Sequence, residues 1–422
     1  MTAEPPESQE HLYPFASPIS LWKHADFMKL WVGKTISWFG SALSRLAMPL
    51  IATLTLNATA SEMGLLAAAG TAPALVIGLF AGAWVDRFGR RRLLILGDLG
   101  RALLLITIPI AVYLQHLTMT QLYAVIFLSG VLGFMFNVAS QSYLPSVIER
   151  RQLVEGNSKL ELSGSITAVA GPSLAGWIIQ LITAPLAIFL DVISFLISAL
   201  CILSIKCQEE PIQISPAPIL VQVREGLRVV FGNPVLRSFA GCMATSNFMS
   251  NAFFALYILF GTRQLGLDAA QLGLVYGVGA SGALVGALVA PWAAERLGMG
   301  RAVVLGALLG AAEVVPVVFA TPRNAVPLLI LSSMLGNFGW VLYNVNEISL
   351  RQAITPLAQQ GKMNATISFL VSGMLPLGAL VGGVLGDVIG LRETIALAAI
   401  GSLLSVLWVV FSPVRRLVRV PD

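Results

Sequence analysis

The chain has 422 residues, of which 56% are hydrophobic and only 11% charged, and its net charge is +5. A soluble globular domain carries about 25% charged residues, so this composition excludes a water-covered domain and makes lipid the natural solvent. The basic residues form short clusters between apolar runs and no stripe, which excludes a nucleic-acid surface; the few cysteines (Cys201, Cys207, Cys242) and histidines (His11, His24, His116) lack the spacing of a disulfide framework or a metal centre, so no cofactor or metal is expected.

Residues 1–26 are polar and proline-containing, and are read as a disordered tail. They show no basic start leading into an apolar core, the mark of a signal peptide. Spanning a hydrocarbon core takes about 20 mostly apolar residues as a helix. Twelve such helices are expected, near 28–56, 62–85, 93–114, 120–144, 160–182, 185–206, 236–260, 270–294, 302–320, 325–349, 363–387 and 393–412. The first carries Lys34, Trp38, Ser41 and Arg45, spaced four, three and four, and therefore on one face. The loop between the second and third reads Gly82-x-x-x-Asp86-Arg87-Phe88-Gly89-Arg90-Arg91. Gly82 allows close helix approach, Asp86 can pair with a cation or with a helix N-terminus, and Gly89 permits a tight turn. The fourth helix offers Asn137 and Gln141. The fifth contains Gly164 and then Gly171-Pro172-Ser173-Leu174-Ala175-Gly176, where proline removes a backbone hydrogen bond and bends the helix.

A polar stretch over 207–235, ending in an amphipathic piece with Arg224, Glu225 and Arg228, is the one long linker. It separates a six-helix bundle over 27–206 from another over 236–412, and residues 413–422 form a second tail. In the second bundle, helix seven offers Asn247 and Asn251. A loop copy, Glu295-Arg296-x-Gly298-x-Gly300-Arg301, follows helix eight. Helix ten shows Asn337, Trp340, Asn344 and Glu347, spaced three, four and three.

With the N-terminus inside, twenty Lys and Arg residues fall on the cytoplasmic side and only Arg263, Arg323 and Arg392 outside, while Lys34, Arg45 and Arg101 lie within helices. That bias places both termini in the cytoplasm. The halves also repeat. At an offset of 209, Gly64, Gly70, Ala74, Leu75, Arg87, Gly89 and Arg92 match Gly273, Gly279, Ala283, Leu284, Arg296, Gly298 and Arg301; at 207, Gln152, Asn157 and Gly176 match Gln359, Asn364 and Gly383. Such a duplication marks transporters whose substrate site lies between the halves near mid-membrane.

The loop motif and its second copy resemble the signature loops of the Major Facilitator Superfamily. The helix-five motif is similar to that superfamily's exporter signature, with Ala175 where the usual pattern has glycine. Phe27-x-x-Leu30-Trp31-x-Gly33, Asp98-x-x-Arg101, Asp191-x-x-Ser194-Phe195 and Arg351-Gln352-x-x-x-Pro356 resemble the branch of siderophore (enterobactin) and macrolide exporters. The resemblance runs from about Phe27 to Ser412. It implies an all-α membrane protein of twelve transmembrane helices in two six-helix repeats, a transporter and not an enzyme, set in a bacterial cytoplasmic membrane and expected to be a monomer.

In that family, helices one, four, seven and ten line the central cavity, and here all four carry a polar or aromatic stripe. Trp38, Ser41, Arg45, Asn137, Gln141, Asn247, Asn251, Asn337, Trp340 and Asn344 are therefore the expected cavity residues. Lys34 is read as snorkelling toward the cytoplasm. The bland alternative for the asparagines is interhelical hydrogen bonding, and for Arg45 a structural partner. The expected function is export of a small amphipathic compound, a drug, siderophore or other metabolite, by alternating access and driven by protons. An importer or facilitator of the same fold is the rival, and a membrane-embedded sensor or enzyme a remote one. Arginine stays protonated at any working pH, so Arg45 is no proton carrier. The carriers expected are Glu347, which has the better face, and Glu313, about 16 Å deep in helix nine, with Glu347 favoured.

Overall fold

A computed structural model of the chain describes residues 21–78, 89–149, 152–206 and 219–416. Among them every regular element is helical. The membrane helices, in order, are one (Ala25–Leu54), two (Ala60–Ile77), three (Arg90–Tyr113), four (Met119–Val147), five (Leu153–Ile182) and six (Ala184–Leu203). After a linker helix (Ile219–Gly232) come seven (Pro234–Arg263), eight (Ala269–Leu297), nine (Met299–Val318), ten (Ala325–Ile354), eleven (Leu357–Val388) and twelve (Leu391–Val410). Among the described residues, eleven of these are both long and apolar enough to span a bilayer. Helix one is the other. Its 30 residues are ample in length, but Lys29, Lys34 and Arg45 dilute its hydropathy. It is carried by close packing on helix six, with Gly33 against Ser198 and Cys201, and Gly40 against Asp191 and Ser194. Outward faces are greasy: Leu103, Val388 and Leu288 are 71%, 73% and 81% exposed, a surface suited to lipid and costly in water.

Short connections make successive helices antiparallel. The loops after the odd-numbered helices thus gather at one end, here termed distal, and the described chain ends at the other. The duplication is written in the backbone. The left-handed turn residues Asn57, Gly89 and Thr183 (φ 52°, 81° and 80°) recur as Gly266, Gly298 and Gly390 (69°, 83° and 103°). The capping box Thr59–Glu62 that opens helix two recurs as Asp268–Gln271 at the start of helix eight. Each box satisfies two of the amides that a helix start leaves without a partner.

The halves meet by exchanging the same pair of surfaces. Helix two packs on eleven where Gly64 faces Gly383, and helix five packs on eight where Gly176 faces Gly273. A Cβ on Gly64 would lie 2.7 Å from the Gly383 Cα, and one on Gly176 2.8 Å from the Gly273 Cα. Only glycine admits such an approach, the device by which membrane helices come closest. At this distal end a single apolar core runs through both halves, from Leu46, Ile51 and Met63 to Phe253, Leu256 and Leu272. Toward the chain ends the core divides. Phe27, Tyr143 and Ile202 belong to one cluster, and Phe239, Val303 and Leu350 to another. The molecule is therefore sealed distally and parted at the other end. The linker helix lies along helix eleven, with Val230 buried and Glu225 2.6 Å from the Lys362 ammonium, which holds that exposed carboxyl below its ordinary range.

Candidate transport cavity

Among the described residues, three of the hollows between the helices hold the polar side chains of the expected cavity or an interior carboxyl. The first, about 570 Å³, is walled by helices one, two and four with contributions from three, six and seven. Ser41, Arg45, Asn137 and Asp191 are set into it among Met48, Leu66, Phe134 and Phe254. The second, about 900 Å³, lies nearer the chain ends, where Lys34, Trp38, Gln141 and Glu161 share its wall. Asn137 borders both. The third, about 100 Å³, is in the second half between helices seven, nine, ten and twelve, and Asn247, Glu313, Trp340 and Asn344 line it.

Of the expected cavity residues, Trp38, Ser41, Arg45, Asn137, Gln141, Asn247, Trp340 and Asn344 thus face hollows. Asn251 and Asn337 line none of the three, and their amides, like that of Asn247, turn back on their own helix, to the Asn247, Ser333 and Met243 carbonyls at 3.2, 2.8 and 2.8 Å. Such i−4 bonding is what an amide does when no neighbour reaches it. Lys34 lies 4.9 Å above the Trp38 ring.

Buried charge in the first half is organised around helix six. The Asp191 carboxylate accepts hydrogen bonds from Ser44 and, at 2.9 Å, from Ser194. Asp98 and Arg101, one turn apart on helix three, form an ion pair at 2.5 Å, with the guanidinium sandwiched between Phe136 and Phe195. Ser194 stood in the sequence motif one turn from Asp191 on the same helix, whereas Ser44 comes from helix one, reaches Asp191 only through packing and was not singled out.

In the second half the two carboxyls differ. Glu347 is wholly buried, 3.1 Å from the Arg351 guanidinium, and borders none of the three hollows. Glu313 sits where helix nine breaks between Ala311 and Val314. The backbone bonds there tighten to i−3, and the Ser332 hydroxyl, 2.6 Å away, takes the Glu313 carbonyl. Gly336 on helix ten leaves room for the carboxyl itself. No hydrogen bond or ion pair reaches that carboxyl from the described residues; Tyr257 and Tyr276 are its titratable neighbours.

The signature loop is seen in part, since Gly82, Asp86 and Arg87 lie outside the described residues. Gly89 turns the chain at the start of helix three. Arg90 bonds the Ser146 hydroxyl at 3.2 Å, and Arg91 the Leu203 carbonyl at 2.6 Å, tying helix three to helices four and six. In the second copy Gly298 makes the same turn, while Glu295, Arg296 and Arg301 are exposed. The helix-five motif is a packing seam. Gly164 faces the Trp38 ring, Gly171 meets Ala42, and Gly176 meets helix eight, while Pro172 between them lies inside a continuous helix and offers no N–H to the preceding turn.

A family model, Major Facilitator Superfamily, matches residues 30–374, and with twelve helices in two repeats around this cavity the chain belongs to that superfamily of transporters. It is similar to the multidrug efflux pump Tap of Mycolicibacterium fortuitum, 27% identical over 391 residues that cover 89% of this chain and 93% of the pump. The staphyloferrin A transporter of Staphylococcus aureus is 23% identical, covering 89% and 91%. Among solved structures, an inward-facing bacterial homologue of the iron transporter ferroportin shares the fold, with a TM-score of 0.71 at 15% identity over 92% of this chain and 98% of that one. The outward-facing form of such a homologue scores 0.55 at 17% identity, with the same coverage. The protein is thus a multi-pass membrane transporter of small molecules.

Proposed function

We propose that this transporter exports a small amphipathic compound across the bacterial cytoplasmic membrane by alternating access, driven by proton entry through Glu313. The positive-inside bias assigns the chain ends to the cytoplasm. The form described here, parted at that end and sealed distally, is then the one that loads substrate from the cell. The similarity to efflux pumps supports the outward direction, as does the proline-glycine seam of helix five. Trp38, Arg45, Asn137 and Gln141 on one side, with Asn247, Trp340 and Asn344 on the other, are assigned to the substrate path. Asp86 and the arginines of its loop are assigned to gating.

The observation that carries the coupling is the contrast among the four interior carboxyls. Asp98 has Arg101, Asp191 has two serines, and Glu347 has Arg351. Of these four, Glu313 alone opens on a hollow with no hydrogen bond or ion pair from the described residues to break when a proton comes or goes. A membrane potential supplies about 2.3 kcal/mol per charge per 100 mV, so one proton per cycle sustains more than a tenfold gradient.

Inverted vesicles with a proton gradient, offered anionic, neutral and cationic naphthalene amphipaths, should accumulate at least one and lose it when a protonophore is added. Glu313→Gln should abolish this accumulation while leaving ligand exchange; Glu347→Gln should leave gradient-driven accumulation in place. Uptake only in right-side-out vesicles would establish the importer instead. Full activity in Glu313→Gln would remove that residue from the coupling.

A further inference from the structure

The polar groups set into the 570 Å³ hollow are unequal in what they still need. Asp191, its acidic group, is served by Ser44 and Ser194, and Arg101 is held by Asp98. Among the described residues four donors of its wall are left over, the Ser41 hydroxyl on helix one and three more. The Arg45 guanidinium is exposed to the hollow and makes no hydrogen bond or ion pair with the described residues; Asp191 acts on it only through space. The Ser129 hydroxyl on helix four, shut away from solvent, has no partner among the described residues. Asn137, two turns further along helix four, is exposed where the two first-half hollows meet, and no side-chain hydrogen bond of its amide occurs among the described residues.

An orphaned buried donor costs about 1–3 kcal/mol, and an arginine at mid-membrane about 2.5–3.5 kcal/mol on insertion scales. A site that leaves such donors facing one apolar-walled space is suited to a ligand that brings an acceptor. A guanidinium offers five N–H groups in a flat fork that matches a carboxylate. Met48, Met63, Leu66, Phe134 and Phe254 around it supply apolar surface and no competing acceptor. We infer that the hollow is an organic-anion site: Arg45 binds the carboxylate of the transported compound, Asn137 and Ser129 add hydrogen bonds, and the apolar wall takes the body. Lys34, on the same helix at the mouth, places a second cation on the approach. The inference rests on the central-cavity reading above, and names the class of compound that cavity takes.

The test is equilibrium binding to the purified full-length protein, read by tryptophan fluorescence without any gradient. The probes are naphthalene-2-carboxylate, naphthalene-2-carboxamide and naphthalen-2-ylmethylammonium, alike in body and different in charge. The carboxylate should bind at least tenfold more tightly than the other two. Arg45→Gln should erase that preference, Arg45→Lys should keep part of it, and Ser129→Ala should reduce it by a few-fold. Should Arg45→Gln fail to fold, the order of the three probes on the unaltered protein still decides. Equal binding of all three, tightest binding of the ammonium, no binding of any, or a preference surviving in Arg45→Gln would overturn the inference and leave Arg45 as a counter-charge to Asp191. Because binding needs no driving force, anion preference without proton-driven accumulation would overturn the export reading alone. Accumulation of only the neutral or cationic probe would overturn the anion site alone.

Discussion

Thr183 joins helices five and six at φ 80° and ψ 156°, and its repeat partner Gly390 joins eleven and twelve at φ 103° and ψ 158°. That region is open to glycine and strained for a β-branched residue, at a cost of about 1–3 kcal/mol. No side-chain cap bond of Thr183 offsets it. Thr183→Gly is therefore expected to raise the Tm of the purified protein and leave transport unchanged. A lowered Tm would mean that the threonine contributes contacts worth more than the strain. The same scale shows how sequence reading succeeds and fails. Spacing placed Trp38, Ser41 and Arg45 on one face, because a helix converts spacing directly into direction. It favoured Glu347 over Glu313 for its face, yet Glu347 borders none of the three hollows and Glu313 lines one. Both are glutamates in apolar runs, and what distinguishes them is an arginine one turn beyond Glu347 and a break in the helix at Glu313. Both were readable: Arg351 stands one turn beyond Glu347, and Pro316, with no N–H for the Ala312 carbonyl and a ring that crowds that turn, breaks the helix at Glu313.

Helix ends do more here than stop helices. Asp387, in the last turn of helix eleven, accepts the Ala60 and Ser61 amides at 2.9 and 2.8 Å, so a carboxylate of one half caps helix two of the other. The capped amides and the helix dipole both favour a negative group there. The bond exists only while the distal ends are together. Asp387→Asn removes the charge and one acceptor, and should shift the balance toward distally open forms by about tenfold, since a charged hydrogen bond is worth about 1.5–3 kcal/mol. Spin labels on the distal loops at Gln115 and Thr321 would report this as growth of the longer-distance population. An unchanged distribution would show the glycine contacts to be sufficient for the seal. The seal was half legible: Gly64, Gly176, Gly273 and Gly383 stood out as repeat positions, but their pairing into two inter-half contacts did not. Asp387 gave no signal, because its partners are backbone groups 326 and 327 residues away.

For the molecule as a whole, the orientation is the assumption on which the loading state and the export direction depend. Single cysteines beside Arg263, Arg323 or Arg392 are expected to react with an impermeant thiol reagent in intact cells, and a cysteine beside Arg90 only after lysis. Labelling beside Arg90 from outside would invert the assignment. Composition and hydropathy by themselves determined that the chain lives in lipid, because so few charges cannot cover a water-facing surface. The recurrence of glycines and arginines at offsets of 209 and 207 determined that it is a doubled unit, since a duplicated fold reuses the same turns and close contacts. Tertiary structure alone decided that Asn57 and Gly266, or Thr183 and Gly390, share a backbone conformation across unlike side chains. It alone decided which donors are left without partners around the first hollow. The reason is physical: periodicity within a helix is local and survives in the sequence, whereas whether a buried group is satisfied depends on helices that meet only after the chain has folded.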